Sequence, residues 1–116
     1  MATTTSATPA VLQPGVQITT AAVAYVTGGV NAQTLIKRAV FTNITAGAIT
    51  FTVNRVPSGG AVGATNIIID ARSIAALGTD LAPELANMVL NAGDTIQCLA
   101  SANTSINFFA SGFVAT

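Results

Sequence analysis

Hydrophobic and polar residues alternate along most of the chain with a period of two. The clearest example is ITFTVN at 49–54, where Ile49, Phe51 and Val53 face one way and the polar residues face the other. Such alternation is typical of a β-strand with one buried face. Further strands are predicted at 16–19, 22–26, 35–43, 66–70, 88–90, 95–100 and 106–114.

Short polar segments separate these predicted strands. The turn at 45–47 predicts that 35–43 and 48–56 pair as an antiparallel hairpin. The stretch 71–87 is predicted to be strand and loop with one helical turn, because Gly78 and Pro83 interrupt a longer helix.

Strands without intervening amphipathic helices define the fold class. The absence of such helices argues against a doubly wound α/β fold. We therefore predict an all-β chain, a single antiparallel β-sandwich or jelly-roll-like domain. In the closing strand, Phe109 faces away from Phe108 and Ala110, which predicts that this strand is covered on both sides.

The N-terminal segment differs from the rest of the chain. Residues 1–15 are low-complexity Ala, Thr, Ser and Pro, which predicts an extended N-terminal arm, followed by the β-sandwich domain at 16–116. The arm is expected to dock on a partner through its prolines and its sizeable apolar side chains. These predicted interface residues are Pro9, Val11, Leu12 and Pro14.

Charge is scarce. The chain has four basic residues, four acidic residues and no histidine, so that charged residues make up 7% of it, against about 25% in an ordinary soluble domain. Only Lys37 and Arg38 are adjacent, which argues against a nucleic-acid partner. The chain contains no continuous apolar run of membrane-spanning length and does not begin like a signal peptide, so no membrane partner is expected.

The reactive residue types form no catalytic constellation. Cys98 alternates with Ile96 on an apolar strand and is predicted to be a buried thiol, because no histidine is present to activate it. Asp94 lies in a turn, where its carboxylate is expected to accept backbone N–H bonds. The remaining acids are scattered, and we expect no enzyme, no metal site and no cofactor. They are Asp70, Asp80 and Glu84.

Two other features have alternative interpretations. The loop 58–63 superficially resembles a phosphate cradle, but no lysine and no strand-to-helix context follow it, which favours a hairpin tip. Arg55 and Arg72 are available to pair with acids, and the sequence does not indicate which acids.

The surface chemistry provides the positive signal. Thr, Ser, Asn and Gln make up about 30% of the residues, and such neutral groups are less costly to bury at contacts than ions. The centres of large interfaces are depleted of charge for this reason. The composition therefore favours a component of a larger assembly.

Two segments resemble small virion proteins of tailed bacteriophages. They are NRVPSGGAVGATNIIID at 54–70 and VLNAGDTIQCLAS at 89–101, and the resemblance extends over roughly 16–114. It implies a β-sandwich or jelly roll that decorates, or cements, the outside of a capsid as a trimer. The implied partner is the major capsid protein, and the implied location is the virion, with the host cytoplasm during assembly. The resemblance transfers no catalytic residue.

The leading hypothesis is therefore a capsid decoration protein, and the alternative is a neck, tail or fibre-associated adaptor or receptor-binding module. Glycan recognition usually relies on exposed aromatic side chains, and the candidates here are only Tyr25 and Phe41, which argues against a glycan-binding module. A homotrimer is expected, because outward-facing Phe109 and Phe113 would otherwise be exposed with little charge to oppose aggregation.

Overall fold

The alternating segments form two antiparallel sheets that pack face to face, in a computed structural model that describes residues 6–116. The predicted all-β sandwich is confirmed. The strands are β1 (Ala7–Gln17), β2 (Val23–Thr27), β3 (Gln33–Asn43), β4 (Ile49–Val56), β5 (Ile67–Ile74), β6 (Thr79–Asp80), β7 (Met88–Leu90), β8 (Thr95–Ala100) and β9 (Ile106–Ala115). Single 3₁₀ turns at Ala64–Asn66 and Pro83–Leu85 complete the described elements, the second within the stretch predicted to contain one helical turn.

The strand order is that of a jelly roll. Sheet I has the order β1-β9-β3, with β6 and β7 both paired to the far side of β3, and sheet II has the order β2-β8-β4-β5. Strands from the start of the chain thus pair with strands from its end. The first strand lies beside the last, and the second lies beside β8. This arrangement supports the jelly-roll-like alternative of the prediction.

The prediction that 35–43 and 48–56 pair as a hairpin is wrong, because β3 lies in sheet I and β4 in sheet II. The fully buried Asn43 holds this crossing in place. Its amide nitrogen donates to the carbonyl oxygens of Gly47 at 2.8 Å and Ile74 at 3.0 Å, and its oxygen accepts from the Thr45 backbone at 2.9 Å. The chain therefore crosses the end of the sandwich instead of turning back on itself.

Residues 7–15 differ from the separate arm that the sequence predicts. They belong to β1, which pairs antiparallel with β9 from Ala7 to Gln17. Leu12 packs against the core, and the Gln13 side chain donates to the Tyr25 carbonyl oxygen at 2.9 Å. The two prolines are compatible with this strand because it is an edge strand. Residues 1–5 of the predicted arm lie outside the described residues.

Three phenylalanine rings join the two sheets at the centre of the core. Phe41 stacks on Phe108 with ring centroids 4.5 Å apart, and on Phe51 at 4.6 Å. Phe41 and Phe108 belong to sheet I and Phe51 to sheet II, so the stack crosses between the layers. Ile106, Phe108 and Ala110 all face this core, as the alternation of the closing strand predicts.

Candidate interaction surface

The outer face of sheet I is predominantly apolar. Since Phe108 and Ala110 point into the core, Phe109 between them must point outward, and it is 42% exposed. The strand register places it beside Val40. We call this surface the apolar face, and define it as Pro9, Val11, Pro14, Leu35, Val40, Val89, Phe109 and Phe113.

Shallow grooves run across the apolar face. One of about 380 Å³ lies between Pro9, Val11 and Phe113, with Lys37 at its edge. A second of about 180 Å³ lies between Val11, Val40 and Phe109, with Arg38 at its edge. A third of about 370 Å³ is lined by Ala7, Gln33, Leu35, Val89, Phe113 and Ala115.

A β-bulge places two consecutive cations on this face. The pairing of β3 with β9 shifts between Ile36 and Arg38, so that Lys37 and Arg38 are both exposed. Gly112 allows the close approach, because a Cβ there would lie 1.8 Å from the Leu35 carbonyl oxygen. The Lys37 ammonium donates to the Asn87 side-chain oxygen at 3.3 Å, and neither cation forms an ion pair within residues 6–116.

The outer face of sheet II has a different character. Thr52 lies opposite Leu99 and Asn54 opposite Gln97, so three of these four side chains are neutral hydrogen-bonding groups. Asp70 is exposed on the edge strand β5, and it is the one acid that forms no ion pair in the described part of the chain. The uncompensated positive charge thus lies on sheet I and the uncompensated negative charge on sheet II.

Ion pairs engage the remaining charged side chains. Arg55 contacts Asp94 at 2.9 Å, and Arg72 contacts both Asp80, at 2.9 Å, and Glu84. The sequence did not identify these partners, because the paired residues belong to different segments and lie 8 to 39 positions apart along the chain. Arg72 also lies 5.6 Å from the centre of the Phe51 ring.

Asp94 stabilises a turn, as predicted. Its carboxylate accepts the backbone N–H groups of Ser58 at 2.9 Å and Asn91 at 3.0 Å. These bonds, reinforced by the Arg55 guanidinium, hold the pKa of Asp94 below its ordinary value. The carboxylate therefore joins the loop after β4 to the turn before β8.

The reactive groups singled out in the sequence are structural. Cys98 is buried, and burial raises the pKa of its thiol above the usual range, so the thiol stays protonated. The glycine loop forms the tip of the β4–β5 hairpin, where Asn66 accepts from Asn54 at 2.7 Å and donates to the Ala61 carbonyl oxygen at 2.9 Å. In residues 6–116 no three His, Cys, Asp or Glu side chains come together as a potential metal site.

A second apolar surface flanks β6. Leu77 is 73% exposed and has a left-handed φ of 58°, and Leu81 is 54% exposed. The Leu77 amide donates to the Thr45 carbonyl oxygen at 3.1 Å, which brings Ile44 into the same region. We call Ile44, Leu77 and Leu81 the β6 edge. In the sequence, its only signal is Leu77 next to Gly78 in a segment predicted to contain loop.

The structure distributes the predicted interface residues over two environments. Pro9, Val11 and Pro14 lie on the apolar face, with Val11 71% exposed, whereas Leu12 is half-buried and packs inward. The sequence did not identify Leu35 and Val40 as surface residues, although both alternate with buried neighbours. The predicted covering of β9 on both sides is not observed within the described chain, because Phe109 is only partly covered.

Comparisons with known proteins add little to this geometry. No family model and no curated protein matches the chain. One chain in the structure of infectious bursal disease virus, Gx strain, has a TM-score of 0.49 and 12% identity over 96% of this chain. This chain covers only 31% of that chain. A likeness of this size carries no argument about function.

Within residues 6–116, no helix is long and hydrophobic enough to cross a bilayer.

Proposed function

We propose that the protein is a structural component of a tailed-phage virion, a decoration protein that binds the outside of the head and stabilises contacts between major capsid subunits. The observation that supports this proposal is the exposure of the apolar face and the β6 edge on a charge-poor molecule. The accessible surface of 6019 Å² carries eight charged side chains, and ion pairs engage five of them.

Covering such a surface is favourable because it removes apolar groups from water and desolvates few ions. Apolar groups gain about 25 cal/mol for each Å² removed from water, and neutral threonines and glutamines lose less on desolvation than ions do. A small protein with two separate apolar surfaces is suited to contact two neighbours at once. Binding that occurs only on the assembled shell then stabilises that shell by mass action.

The sequence resemblance supports the location. Segment 54–70 forms the β4–β5 hairpin, and segment 89–101 forms β7, the following turn and β8. These segments resemble small virion proteins of tailed phages, among which decoration proteins occur as trimers. We extend the proposal to a homotrimer on this basis, with the virion as its location and the host cytoplasm during assembly.

Copy number in purified particles tests this proposal. Quantitative mass spectrometry of virions should find on the order of hundreds of copies of the chain, because a decoration protein repeats with the capsid lattice. About six or twelve copies would contradict decoration and favour the neck or tail adaptor, since those numbers follow the symmetry of the portal and tail. Absence from the particle would overturn both.

A further inference from the structure

Three charged side chains remain after the internal ion pairs are assigned. Lys37 and Arg38 lie on the apolar face, and Asp70 lies on β5 of the opposite sheet. All eight charged residues of the chain are within the described residues. The separation of the unpaired side chains within residues 6–116 therefore takes every charged side chain of the sequence into account.

The grooves of the apolar face require an occupant with particular chemistry. Each cation lines a groove whose other walls are largely apolar. Covering the groove removes water from the cation, which is costly unless a carboxylate replaces that water. The occupant must therefore present apolar groups together with negative charge.

A two-fold contact between two apolar faces fits this requirement poorly. In such an isologous contact both partners use the same patch, so four cations would enter one interface without an acid. Like charges placed together in an interface are costly. This cost disfavours a second copy that docks through its own apolar face, and it does not apply to the other surfaces of a second copy.

The β5 edge of a second copy supplies the missing chemistry. Asp70 is exposed there, in the same strand as Ile67, which is 38% exposed, and the half-buried Ile68. β5 is one of the two edge strands of sheet II, so one side of its backbone has no neighbouring strand in the sheet. It combines an acid, apolar side chains and free backbone groups within four residues.

We propose that the apolar face of one copy docks on the β5 edge of the next, with Asp70 facing Lys37 and Arg38. This inference rests on the assembly role proposed above and names one partner of the apolar face, a second copy of this chain. The contact is heterologous, so repetition closes it into a ring or extends it into a filament. The homotrimer is the three-membered ring of this series.

Charge exchange tests the contact in the isolated full-length protein. Sedimentation velocity over about 1–100 µM should show the wild type associating, with a dissociation constant that K37D/R38D and D70R each raise at least about tenfold. The combined variant K37D/R38D/D70R should regain association to within about threefold of the wild type, because the charges are exchanged and not lost. Ala46→Lys, in the exposed turn between β3 and β4, adds charge at a residue that belongs to neither surface and should associate like the wild type.

Milder variants guard against loss of folding. K37Q/R38Q and D70N remove the charges without reversing them, and circular dichroism checks that each variant keeps the β-fold. These variants should weaken association in the same direction but less strongly. If reversal and neutralisation both leave the association unchanged, the proposed contact is overturned.

Two further results would overturn the inference. One is a wild type that stays monomeric over the whole concentration range, and the other is a combined variant that folds but does not regain association. Neither result depends on the copy number in virions. A failed charge exchange together with hundreds of copies per particle would reject this contact and retain the decoration role. A successful charge exchange together with six or twelve copies per particle would retain this contact and reject the decoration role.

Discussion

Asp94 illustrates how much one side chain contributes when its partners come from distant parts of the chain. Its two oxygens accept hydrogen bonds from Ser58, Asn91 and Arg55, and only Asn91 is close to it in sequence. Charge-assisted hydrogen bonds are stronger than neutral ones, and burial of the carboxylate makes their loss costly. The bonds favour the charged form, which lowers the pKa of Asp94.

The first expected outcome concerns Asp94→Asn. The amide retains one acceptor oxygen and turns its NH₂ toward a donor, so the variant should lose about 1–3 kcal/mol of unfolding free energy at pH 7. Because the folded-state pKa is lowered, the stabilisation is present above the unfolded-state pKa of about 3.9 and is lost as pH falls through the lower folded-state value. Urea unfolding at pH 7, 4 and 2.5, at one protein concentration, should show the difference narrowing with acid.

Glu84→Gln is the comparison for that experiment. Arg72 lowers the pKa of Glu84 in the same direction, but the Glu84 side chain is 37% exposed. Solvent screening makes exposed ion pairs weak, so this variant should lose less stability than Asp94→Asn. An Asp94→Asn deficit that stays constant from pH 7 to pH 2.5 would contradict the assigned role of the carboxylate.

At the scale of elements, β1 differs most from its sequence-based prediction. A proline-containing, low-complexity segment lacks the period-two pattern of a half-buried strand, and the pattern therefore indicated an arm. β9 would nevertheless have an unpaired edge without β1, and Leu12 and Val16 pack against the core from β1. An edge strand can be stabilised by pairing and a few inward side chains, so a strong local pattern is not required.

Leu12→Ala and Thr8→Ala distinguish a strand from an arm. Leu12 packs on the core, whereas Thr8 on the same strand is exposed. Leu12→Ala should reduce the unfolding free energy by about 1–2 kcal/mol, since part of a leucine side chain returns to water, and Thr8→Ala should change it by less than about 0.5 kcal/mol. Chemical denaturation measures both, and a Leu12→Ala variant as stable as the wild type would contradict the assigned packing of Leu12 on the core.

At the scale of the whole molecule, the apolar surfaces lie in separate places. The principal-axis extents are 56 × 26 × 19 Å, and the apolar face covers one broad side. The β6 edge lies where β3 ends, whereas Val30 precedes the start of β3 and is 85% exposed. The proposed contact between the apolar face and the β5 edge does not use Ile44, Leu77 or Leu81. We therefore propose the β6 edge as the surface that contacts the capsid.

L77S/L81S tests that division of roles. Both leucines are exposed, so the variant should fold and associate like the wild type. Its bound fraction on undecorated particles should fall at least about tenfold, because the apolar contact with the shell is removed. Co-sedimentation with particles measures this fraction, and Val30→Ser at the opposite end should bind normally. Normal binding by L77S/L81S would exclude the β6 edge as the capsid contact.

The sequence by itself determined the local properties of this protein. Alternation with a period of two is set by the strand backbone, so it correctly assigned Phe108 to the core, Phe109 to the outside and Cys98 to a buried position. The charge inventory is likewise independent of the fold. The predicted sandwich and the role of Asp94 in a turn followed from such local features.

Tertiary structure decided everything that depends on which strands become neighbours. The alternation of residues in β3 predicts which side of the strand is buried, but it does not predict which strand pairs with β3. The next segment lies in the other sheet, and the hydrogen bonds of the buried Asn43 stabilise that crossing. Strand pairing is non-local, so the apolar face, assembled from β1, β3, β7 and β9, has no contiguous signature in the sequence. The ion pair between Arg55 and Asp94 is also non-local: the two residues are far apart along the chain, and the fold brings their side chains to 2.9 Å.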